Sequence, residues 1–382
     1  MELTVSKKDL LRVVERCQGV ADKKSTMPVL SNVLLVAKDD GRLRVAATDL
    51  YISVTGMISA EVKTPGSIAV PAKELYERIN HMPDGPIRLI GSEGSQLWVR
   101  SVASARGFKL HGVPGGDFPN LPEPDANAPA LELGVDVLAT LISTTHFSIS
   151  PEETRAALNS ALFEWDGDWV RMVTTDGHRL SKMEVQVKDR QATATMLIPA
   201  KAIGELKRVC DSAKSDASKE GRETPKVRIA QSGPNAFFEL VGMRYSVKLV
   251  DAQFPPYSQV IPQTTDRAFK LPRTAFADAL KAVALASSEK TGGVKLTFAD
   301  GKMLITSESP ESGEGYDELP VDYDGPQVAM GFNARYLRDV LQAIDDDDVV
   351  LGVGGDLDPA VIKPATERED RNYKAVVMPM LI

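Results

Sequence analysis

One short stretch of the sequence places four residues with chemical potential side by side. Asp176, Gly177, His178 and Arg179 lie between two runs of alternating apolar residues. A carboxylate beside an imidazole can support general acid–base catalysis, and with further acidic residues it can bind a divalent metal ion. The reaction class that fits such a cluster best is metal-dependent phosphodiester hydrolysis by Asp176 and His178.

A hydrolytic site needs more groups than this stretch supplies. It requires a nucleophile or a set of metal-binding carboxylates near His178, and the neighbouring sequence offers no candidate beyond Asp176. The four aspartates at residues 345–348 follow a helix-like segment, where a solvated turn is the simpler interpretation. Asp-Gly between alternating runs is also a hairpin signal, which accounts for Asp176 and Gly177 without any chemistry.

The composition is typical of a globular protein and argues against several kinds of site. The chain has 382 residues, 43% of them hydrophobic and 26% charged, so two or three domains are expected. Cys17 and Cys210 lie far apart in helix-like segments, which predicts buried thiols in a reducing compartment. The first residues contain no apolar run long enough for a signal peptide or membrane helix. We therefore expect a cytoplasmic protein with no membrane partner, metal site or cofactor.

The elements that position the Asp-Gly stretch recur three times along the chain. Residues 28–56, 156–185 and 292–309 share one pattern of short alternating strands, and a helical segment precedes each copy. Each copy continues into a second helix and further strands, and Pro-rich joints separate the copies at residues 113–130 and 250–262. We predict three tandem α+β domains, each with two helices and antiparallel sheets, at residues 1–125, 126–252 and 253–382.

The predicted helices combine apolar stripes with an excess of positive charge. Leu10, Val13, Val14 and Cys17 recur at helical spacing behind Ser6, a predicted N-cap, and this stripe is typical of core packing. The six helical segments carry a net charge of +6 in a chain of −8, so strands and loops carry −14. A solvated face explains any single lysine, but segregation over six helices predicts a basic surface suited to a phosphate backbone.

Four motifs carry a specific family resemblance. TTDGHRLS (174–181), LVDAQFPPY (249–257), GFNARYLRDVL (331–341) and VVMPMLI (376–382), set in three tandem copies, resemble the bacterial DNA polymerase III β subunits, the sliding clamps. The resemblance covers the whole chain. It implies a non-catalytic, head-to-tail homodimeric ring of clamp domains, with the helices lining a pore around double-stranded DNA. The implied partners are duplex DNA, a second copy of the chain, the replicative polymerase, the clamp loader and other replication and repair proteins that carry a short clamp-binding peptide. The implied location is the nucleoid.

The width of a helix favours two chains in such a ring. Helices are about 10 Å across, so six side by side would enclose a hole of about 9 Å, whereas twelve would enclose about 28 Å. Only the larger hole admits a duplex, and one chain supplies six helices. A monomeric adaptor built from the same domains is the competing hypothesis.

The resemblance assigns residues to three surfaces. An apolar groove between the second and third domains, where partner proteins dock a peptide, would contain Leu158, Thr175, Gly177, His178, Arg179, Leu180, Pro255, Val260, Asn333, Tyr336, Val376, Val377, Met378, Pro379 and Met380. Residues that approach DNA would be Lys24, Lys73, Lys201 and Arg208. Opposite charges suit the two ends of a ring joint, and the residues at these ends are Arg100, Arg106, Phe108, Lys109 and Leu110, against Leu285, Glu308, Glu311, Glu314 and Glu318.

Plainer interpretations exist for the same residues. Met378 and Met380 would suit the core at a strand end, although methionine also suits a surface that accepts several ligands. The charged ends could be edge strands that charge protects from unwanted pairing.

The chain also departs from the family pattern at several positions. Gln259 and Leu381 stand where arginine is common, and Thr291 replaces a bulkier residue at the groove edge. Glu152, Ala156 and Ala157 replace polar or aromatic groups in a loop that faces DNA in other clamps. Residues 212–225 are an insertion relative to the first copy, for which an extended loop is the expectation.

Overall fold

The structure, a computed structural model, describes residues 1–22, 25–92, 94–187, 193–288, 291–355 and 357–381. These residues form two compact units, the first from Met1–Asp136 with Glu205–Leu249 and the second from Val137–Gly204 with Val250–Ile382. Each unit contains one terminal copy of the repeat and part of the middle copy. The domain boundaries near residues 125 and 252 therefore stay a prediction.

The described residues contain six α-helices, and each lies where the apolar periodicity predicts one. They are α1 (Lys7–Val20), α2 (Ala72–Asn80), α3 (Val135–Ser143), α4 (Ala200–Lys219), α5 (Arg273–Val283) and α6 (Ala334–Ala343). Ser6 caps α1 as predicted, because its hydroxyl accepts a hydrogen bond from the amide of Asp9 at 3.4 Å. The apolar stripe of α1 is buried.

The inserted segment differs from the expected loop. Helix α4 extends through Lys219, so residues 212–219 continue the helix, and a loop follows only after it. Ala213 and Ala217 are buried at 2% and 5% exposure. Their i, i+4 spacing places both on one helix face, and small side chains there explain how the extra turns pack.

The strands of the first copy and the start of the second are β1 (Glu2–Ser6), β2 (Asn32–Lys38), β3 (Arg42–Thr48), β4 (Ile52–Thr64), β5 (Gly66–Pro71), β6 (Pro86–Ser92), β7 (Gln96–Ser101), β8 (Gly107–His111), β9 (Val113–Pro114) and β10 (Ala130–Gly134). The middle of the chain contributes β11 (Ser160–Asp166), β12 (Trp169–Thr175), β13 (Arg179–Gln186), β14 (Ala194–Pro199), β15 (Lys226–Ser232), β16 (Asn235–Leu240) and β17 (Met243–Lys248). The remainder contributes β18 (Arg267–Pro272), β19 (Gly293–Ala299), β20 (Lys302–Ser309), β21 (Gly313–Pro320), β22 (Val328–Asn333), β23 (Asp348–Val353), β24 (Ala360–Pro364) and β25 (Arg371–Val377).

In the first unit one sheet runs through two copies of the repeat. Its main strand order is β10-β15-β16-β17-β4-β1-β6-β7-β8, and β2, β3, β5 and β9 branch from this path. Strand β17 of the middle copy pairs antiparallel with β4 of the first copy, with Ser246 opposite Ser53. Strand β8 lies at one edge of this sheet.

The second unit repeats this arrangement between the middle and last copies. Its eight-stranded sheet has the order β14-β11-β12-β13-β25-β24-β23-β18, and a four-stranded sheet has the order β21-β20-β19-β22. Strands β13 and β25 pair antiparallel, with Leu180 opposite Val376. Antiparallel pairing and segregated helices confirm the predicted α+β class.

The two cysteines are buried, as the sequence predicts for structural thiols. Both are free, and desolvation raises the pKa of Cys210 to about 12. Among the described residues, no helix combines the length and the apolar character that a membrane span requires.

Candidate functional site

The Asp-Gly stretch forms the tight turn between β12 and β13. One carboxylate oxygen of Asp176, Oδ1, accepts hydrogen bonds from the amides of His178 and Arg179 at 2.9 and 3.0 Å. The hydroxyl of Thr175 accepts from the amide of Gly177 at 3.1 Å and donates to the carbonyl of Arg179 at 2.7 Å. Gly177 has φ +93°, a left-handed conformation that favours glycine. The predicted hairpin is therefore present.

The second carboxylate oxygen of Asp176 holds a buried arginine. Nε of Arg179 donates to Oδ2 of Asp176 at 3.0 Å, and Nη1 donates to Oδ2 of Asp339 at 2.6 Å. Nη2 donates to the carbonyl of Phe147 at 2.5 Å, and the guanidinium lies 4.4 Å from the ring centroid of Tyr336. Arg179 is 7% exposed. These contacts place Arg179 and Tyr336, two predicted groove residues, side by side.

This geometry bears on the hydrolytic alternative. Both carboxylate oxygens of Asp176 are engaged by the turn and by Arg179, whereas a metal ligand or a base must present an available oxygen. The described residues contain no group of three or more His, Cys, Asp or Glu side chains placed to hold a metal ion.

The acidic run at residues 345–348 makes local contacts of its own. Asp346 accepts from Arg368 at 3.0 Å and from the amide of Thr366 at 3.1 Å. Lys270 lies 2.9 Å from Asp348. These contacts tie the run to neighbouring loops and strands, in accord with the interpretation of the segment as a turn.

The C-terminal residues run alongside the hairpin. Val377 lies opposite Arg179 in the β13–β25 register, and beyond β25 the amide of Met378 donates to the carbonyl of His178 at 2.9 Å. The amide of Met380 donates to the carbonyl of Gly331 at 2.9 Å. Val376 and Val377 are buried, whereas the Met378 side chain is 37% exposed. Backbone pairing therefore fixes the tail, while Met378 faces solvent in part.

An apolar cluster lies on the sheet beside this tail. It contains two predicted groove residues, Leu180 and Val376, and five that were not among the predicted groove residues: Leu162, Val173, Leu197, Phe254 and Val361. Val250, Tyr257 and Ile261 pack against it. Strand pairing brings these residues to the cluster: Val173 lies opposite Lys182, and Leu162 lies opposite Val173. The local sequence does not show these pairings.

A cleft of about 480 Å³ opens at one side of this cluster. Its lining includes Leu162, Leu197, Phe254, Pro255 and Tyr257. The phenol of Tyr257 donates to Glu164 at 2.7 Å. Burial, together with this hydrogen bond, raises the pKa of Tyr257 to about 12. Pro255, also a predicted groove residue, is thus placed next to the apolar cluster.

The remaining predicted groove residues take different places in the second unit. Leu158 is buried at 8% exposure, and its carbonyl accepts from the amide of Ser150 at 2.9 Å. Asn333 caps α6 by accepting from the amides of Arg335 and Tyr336 at 2.9 and 3.3 Å. Val260 is 42% exposed. Pro379, Met380, Gln259, Thr291 and Leu381 are at least partly exposed.

The residues predicted to approach DNA lie on helices wherever the structure describes them. Lys73 is exposed on α2, and Lys201 and Arg208 are exposed on α4. Lys24 lies outside the described residues.

Arg16 does not contribute to the exposed basic surface of α1, because it is only 7% exposed and donates to the carbonyl of Val241 at 3.1 Å. Its charge is therefore not part of the helix surface. Glu152, Ala156 and Ala157 lie in a turn before β11, the first two exposed.

The residues predicted for the ring joint lie on or near edge strands. Strand β8 ends the long sheet of the first unit, and β21 ends the four-stranded sheet of the second. Cζ of Arg100 and Nζ of Lys109 lie 4.7 and 5.5 Å from the centroid of the Trp98 ring. Nη1 of Arg106 donates to the carbonyl of His81 at 2.6 Å.

Exposure separates the joint residues into two groups. Leu285 is 82% exposed, and the acidic residues Glu308, Glu311, Glu314 and Glu318 are exposed as well. Phe108 is half-buried, whereas Leu110 is fully buried within its own chain. Leu110 faces the core because side chains alternate along β8.

Comparison with known proteins gives one consistent family. Models of the N-terminal, central and C-terminal domains of the DNA polymerase III beta subunit match residues 1–122, 132–256 and 258–381. The beta sliding clamp of Caulobacter vibrioides is 33% identical, and that of Escherichia coli K12 is 31% identical, each match covering 100% of both chains. The crystal structure of the DNA polymerase III subunit beta from Pseudomonas aeruginosa has a TM-score of 0.90 and 30% identity, again over 100% of both chains. Similarity of this extent shows that the chain belongs to the DNA polymerase III beta subunit family, the beta sliding clamps.

Proposed function

We propose that the chain is a DNA sliding clamp, a ring that encircles duplex DNA and tethers the replicative polymerase to it. The observation that carries this proposal is the full-length match to beta sliding clamps in both sequence and fold. The proposal assigns no reaction to the chain. The engaged carboxylate of Asp176 gives no support to phosphodiester hydrolysis as a second candidate.

The groove is the proposed docking site for partner peptides. It would use the apolar cluster around Leu180 and Val376 as the anchor pocket, with Met378 as an adaptable wall. Tyr336 would form its polar end, held in place by the buried Arg179 beneath its ring. Short peptides of the polymerase, the clamp loader and other replication and repair proteins would bind there in turn. The exposed Gln259, Thr291 and Leu381 would modify the preference for polar peptide residues.

The two edge strands would form the joints of a homodimer. Strand β8 with its basic residues and β21 with its acidic residues would pair between two subunits, and two such joints would close the ring. Leu285, Phe108 and the exposed Tyr316 would supply apolar contact at the joint. Leu110 would support β8 from the core side.

The helices would supply the surface that faces DNA. Lys73, Lys201 and Arg208 are exposed cations on α2 and α4, which suits contact with phosphates and provides no readout of bases. Reversing the charge at Lys201 and Arg208 would weaken loading and reduce the salt dependence of binding. An unchanged salt dependence would place these two residues away from the phosphates.

A topological assay tests the proposed function directly. The chain is loaded on nicked circular DNA by a clamp loader, and the labelled complex is followed by gel filtration before and after the circle is cut once. A ring stays on the circle and leaves the linear product. Binding that survives linearisation would contradict encirclement, and a 41.4 kDa species in sedimentation at micromolar concentration would contradict the dimer.

A further inference from the structure

One of the proposed DNA-contacting residues is already bound by a carboxylate on its own helix. Nε of Arg208 donates to Oε2 of Glu205 at 3.1 Å, and Nη2 donates to Oε1 at 2.5 Å. This is a two-pronged guanidinium–carboxylate pair, the geometry that a phosphate group would also use. The Glu205 side chain is 12% exposed and that of Arg208 is 45% exposed. The carboxylate is therefore largely enclosed, while the arginine remains within reach of solvent.

The neighbouring helix in the first unit leaves room for this pair. Gly19 lies in the last turn of α1, and a Cβ atom placed on it would be 2.8 Å from Nη2 of Arg208 and 3.0 Å from Oε1 of Glu205. Any larger residue at position 19 would push the two side chains. The absence of a side chain at this position thus allows the pair to lie against α1.

Lys73 and Glu77 form an ordinary exposed ion pair, which serves as a comparison for Arg208 and Glu205. Lys73 lies 3.7 Å from Glu77 on α2, and their side chains are 63% and 53% exposed. Such a pair is loose and solvent-screened. Glu205 differs from Glu77 in both burial and two-pronged contact, so its hold on the cation is stronger and more permanent.

We propose that Glu205 is a built-in counter-ion that competes with DNA phosphates for Arg208 and thereby weakens this contact. The proposal rests on the sliding-clamp function proposed above. Glu205 occupies the Nε–Nη2 edge of the guanidinium, so a phosphate must either displace the carboxylate or bind at the Nη1 side with that negative charge close by. The gain on contact is small, and the contact is readily reversed when the duplex moves. Weak, exchangeable phosphate contacts suit a ring that is retained by closure and must slide.

Neutralising Glu205 tests the proposal on the full-length dimer. Binding of a fluorescently labelled short duplex is measured by anisotropy over a series of salt concentrations for the wild type, Glu205→Gln, Arg208→Gln and the double variant. Glu205→Gln should bind about two- to fivefold more tightly, the scale of a partly exposed ion pair. Its log–log salt slope should become more negative by at most about 0.9, the value of one full phosphate contact, because Arg208 already contacts phosphate in part in the wild type. The double variant should match Arg208→Gln.

Glu77→Gln is the matched control, because it removes one negative charge from a helix and releases Lys73, another proposed DNA-contacting residue, from a loose pair. It measures the gain from losing such a pair, and the effect of Glu205→Gln should exceed it. If Arg208→Gln weakens binding while Glu205→Gln gains no more than Glu77→Gln, the counter-ion role is wrong and the clamp function stands. If neither Arg208→Gln nor Glu205→Gln changes binding, Arg208 does not contact DNA, and that part of the proposed function fails as well.

Gly19→Ala provides an independent test that changes no charge. The added methyl group should displace the end of Arg208 from Glu205, so affinity should rise in the same direction as in Glu205→Gln. The clash involves flexible side-chain ends, and alanine favours the helix over glycine, so the fold should tolerate the change. Circular dichroism melting and sedimentation verify folding and dimerisation. Unchanged affinity in a folded Gly19→Ala dimer, together with an unchanged Glu205→Gln, would overturn the proposal.

Discussion

The hairpins β3–β4 and β12–β13 share one backbone design and differ in the side chains mounted on it. In the first unit Oδ1 of Asp49 accepts from the amides of Tyr51 and Ile52 at 2.9 and 2.6 Å, as Asp176 does in the second. The hydroxyl of Thr48 donates to the carbonyl of Ile52 at 3.1 Å, in the manner of Thr175. The turn is therefore a property of the repeat, independent of the groove.

The following strand also docks in the same way in both units. The amide of Lys248 donates to the carbonyl of Tyr51 at 2.8 Å, and that of Met378 to the carbonyl of His178 at 2.9 Å. The side chains differ at matched positions: Ser53 faces Ser246 in the first unit, where Leu180 faces Val376 in the second. A shared scaffold thus carries small polar residues at one strand pair and an apolar cluster at the other, which is the contrast that the proposed docking site requires.

Removal of the C-terminal tail should have the largest effect on the proposed docking site of the second unit. Deleting residues 378–382 should abolish binding of a clamp-binding peptide, because Met378 and the backbone bonds to His178 and Gly331 are lost. Dimerisation should persist, since β8 and β21 are untouched. Fluorescence anisotropy measures peptide binding, and sedimentation measures the dimer. Lys248→Ala, at the matched position of the first unit, is the control and should leave peptide binding unchanged. Loss of the dimer on deletion would instead place the tail at the joint.

The two aspartates should differ in their contribution to stability. Asp176→Ala removes the turn contacts and one carboxylate partner of the buried Arg179, which should cost about 3 kcal/mol of unfolding free energy. Asp49→Ala removes the same turn contacts, but the first hairpin has Ile52 at the position that matches Arg179. The loss should therefore be about 1–2 kcal/mol of unfolding free energy. Urea denaturation of both variants measures the difference. Equal losses would mean that Arg179 gains little from Asp176.

Much of this comparison could be predicted from sequence, and the remainder depends on long-range packing. The Asp-Gly signal predicts the turn, and helical spacing predicts the buried face of α1. The contact of Arg179 with Asp339 is beyond such signals, because the two residues are 160 positions apart and nothing in the local pattern of either indicates the other. The burial of Arg16 is equally hidden, since the sequence of α1 does not distinguish it from Arg12 on the same basic helix.

Strand register determines which apolar residues share a face with Leu180 and Val376. The family resemblance points to these two residues, whereas only the pairing of the strands places Leu162, Val173 and Val361 beside them. Apolar residues on a strand are ordinary core candidates until the partner strand fixes which face they share. Leu110 is the opposite case, where alternation along β8 indicates a core-facing side chain that the charge pattern at the joint obscured.

Exchanging residues between the two matched strand pairs should give effects of intermediate size. Val376→Ser converts the second unit toward the pattern of the first and should weaken peptide binding about tenfold, because the anchor pocket loses two methyl groups and gains a hydroxyl. Its cost in stability should be about 2 kcal/mol. The reverse change, Ser246→Val, should leave peptide affinity unchanged and alter stability by less than about 1 kcal/mol. Anisotropy and urea denaturation provide both readouts. Wild-type peptide affinity in Val376→Ser would remove the cluster from the docking site.

The smallest expected effect concerns the tip of each hairpin, where the backbone is left-handed in both. Leu50 has φ +74° and Gly177 has φ +93°. A side chain in this conformation costs about 1–2 kcal/mol, and glycine gives back about 0.5–1 kcal/mol through its greater freedom in the unfolded chain. Leu50→Gly should therefore stabilise the first unit by about 0.5–1 kcal/mol, and Gly177→Ala should destabilise the second by a similar amount. Thermal unfolding of the two variants measures both changes.

The direction of the Leu50 change decides what that side chain does. Leu50 is 51% exposed, so its burial contributes only part of a full hydrophobic contact, and strain should dominate. At Gly177 an added Cβ would meet Nη2 of Arg155 at 3.5 Å, an ordinary contact, so the backbone alone sets the cost there. Should Leu50→Gly destabilise the protein while Gly177→Ala behaves as expected, the leucine makes a contact whose value exceeds the strain. The first hairpin would then have a packing role of its own, and the two tips would differ in function as well as in sequence.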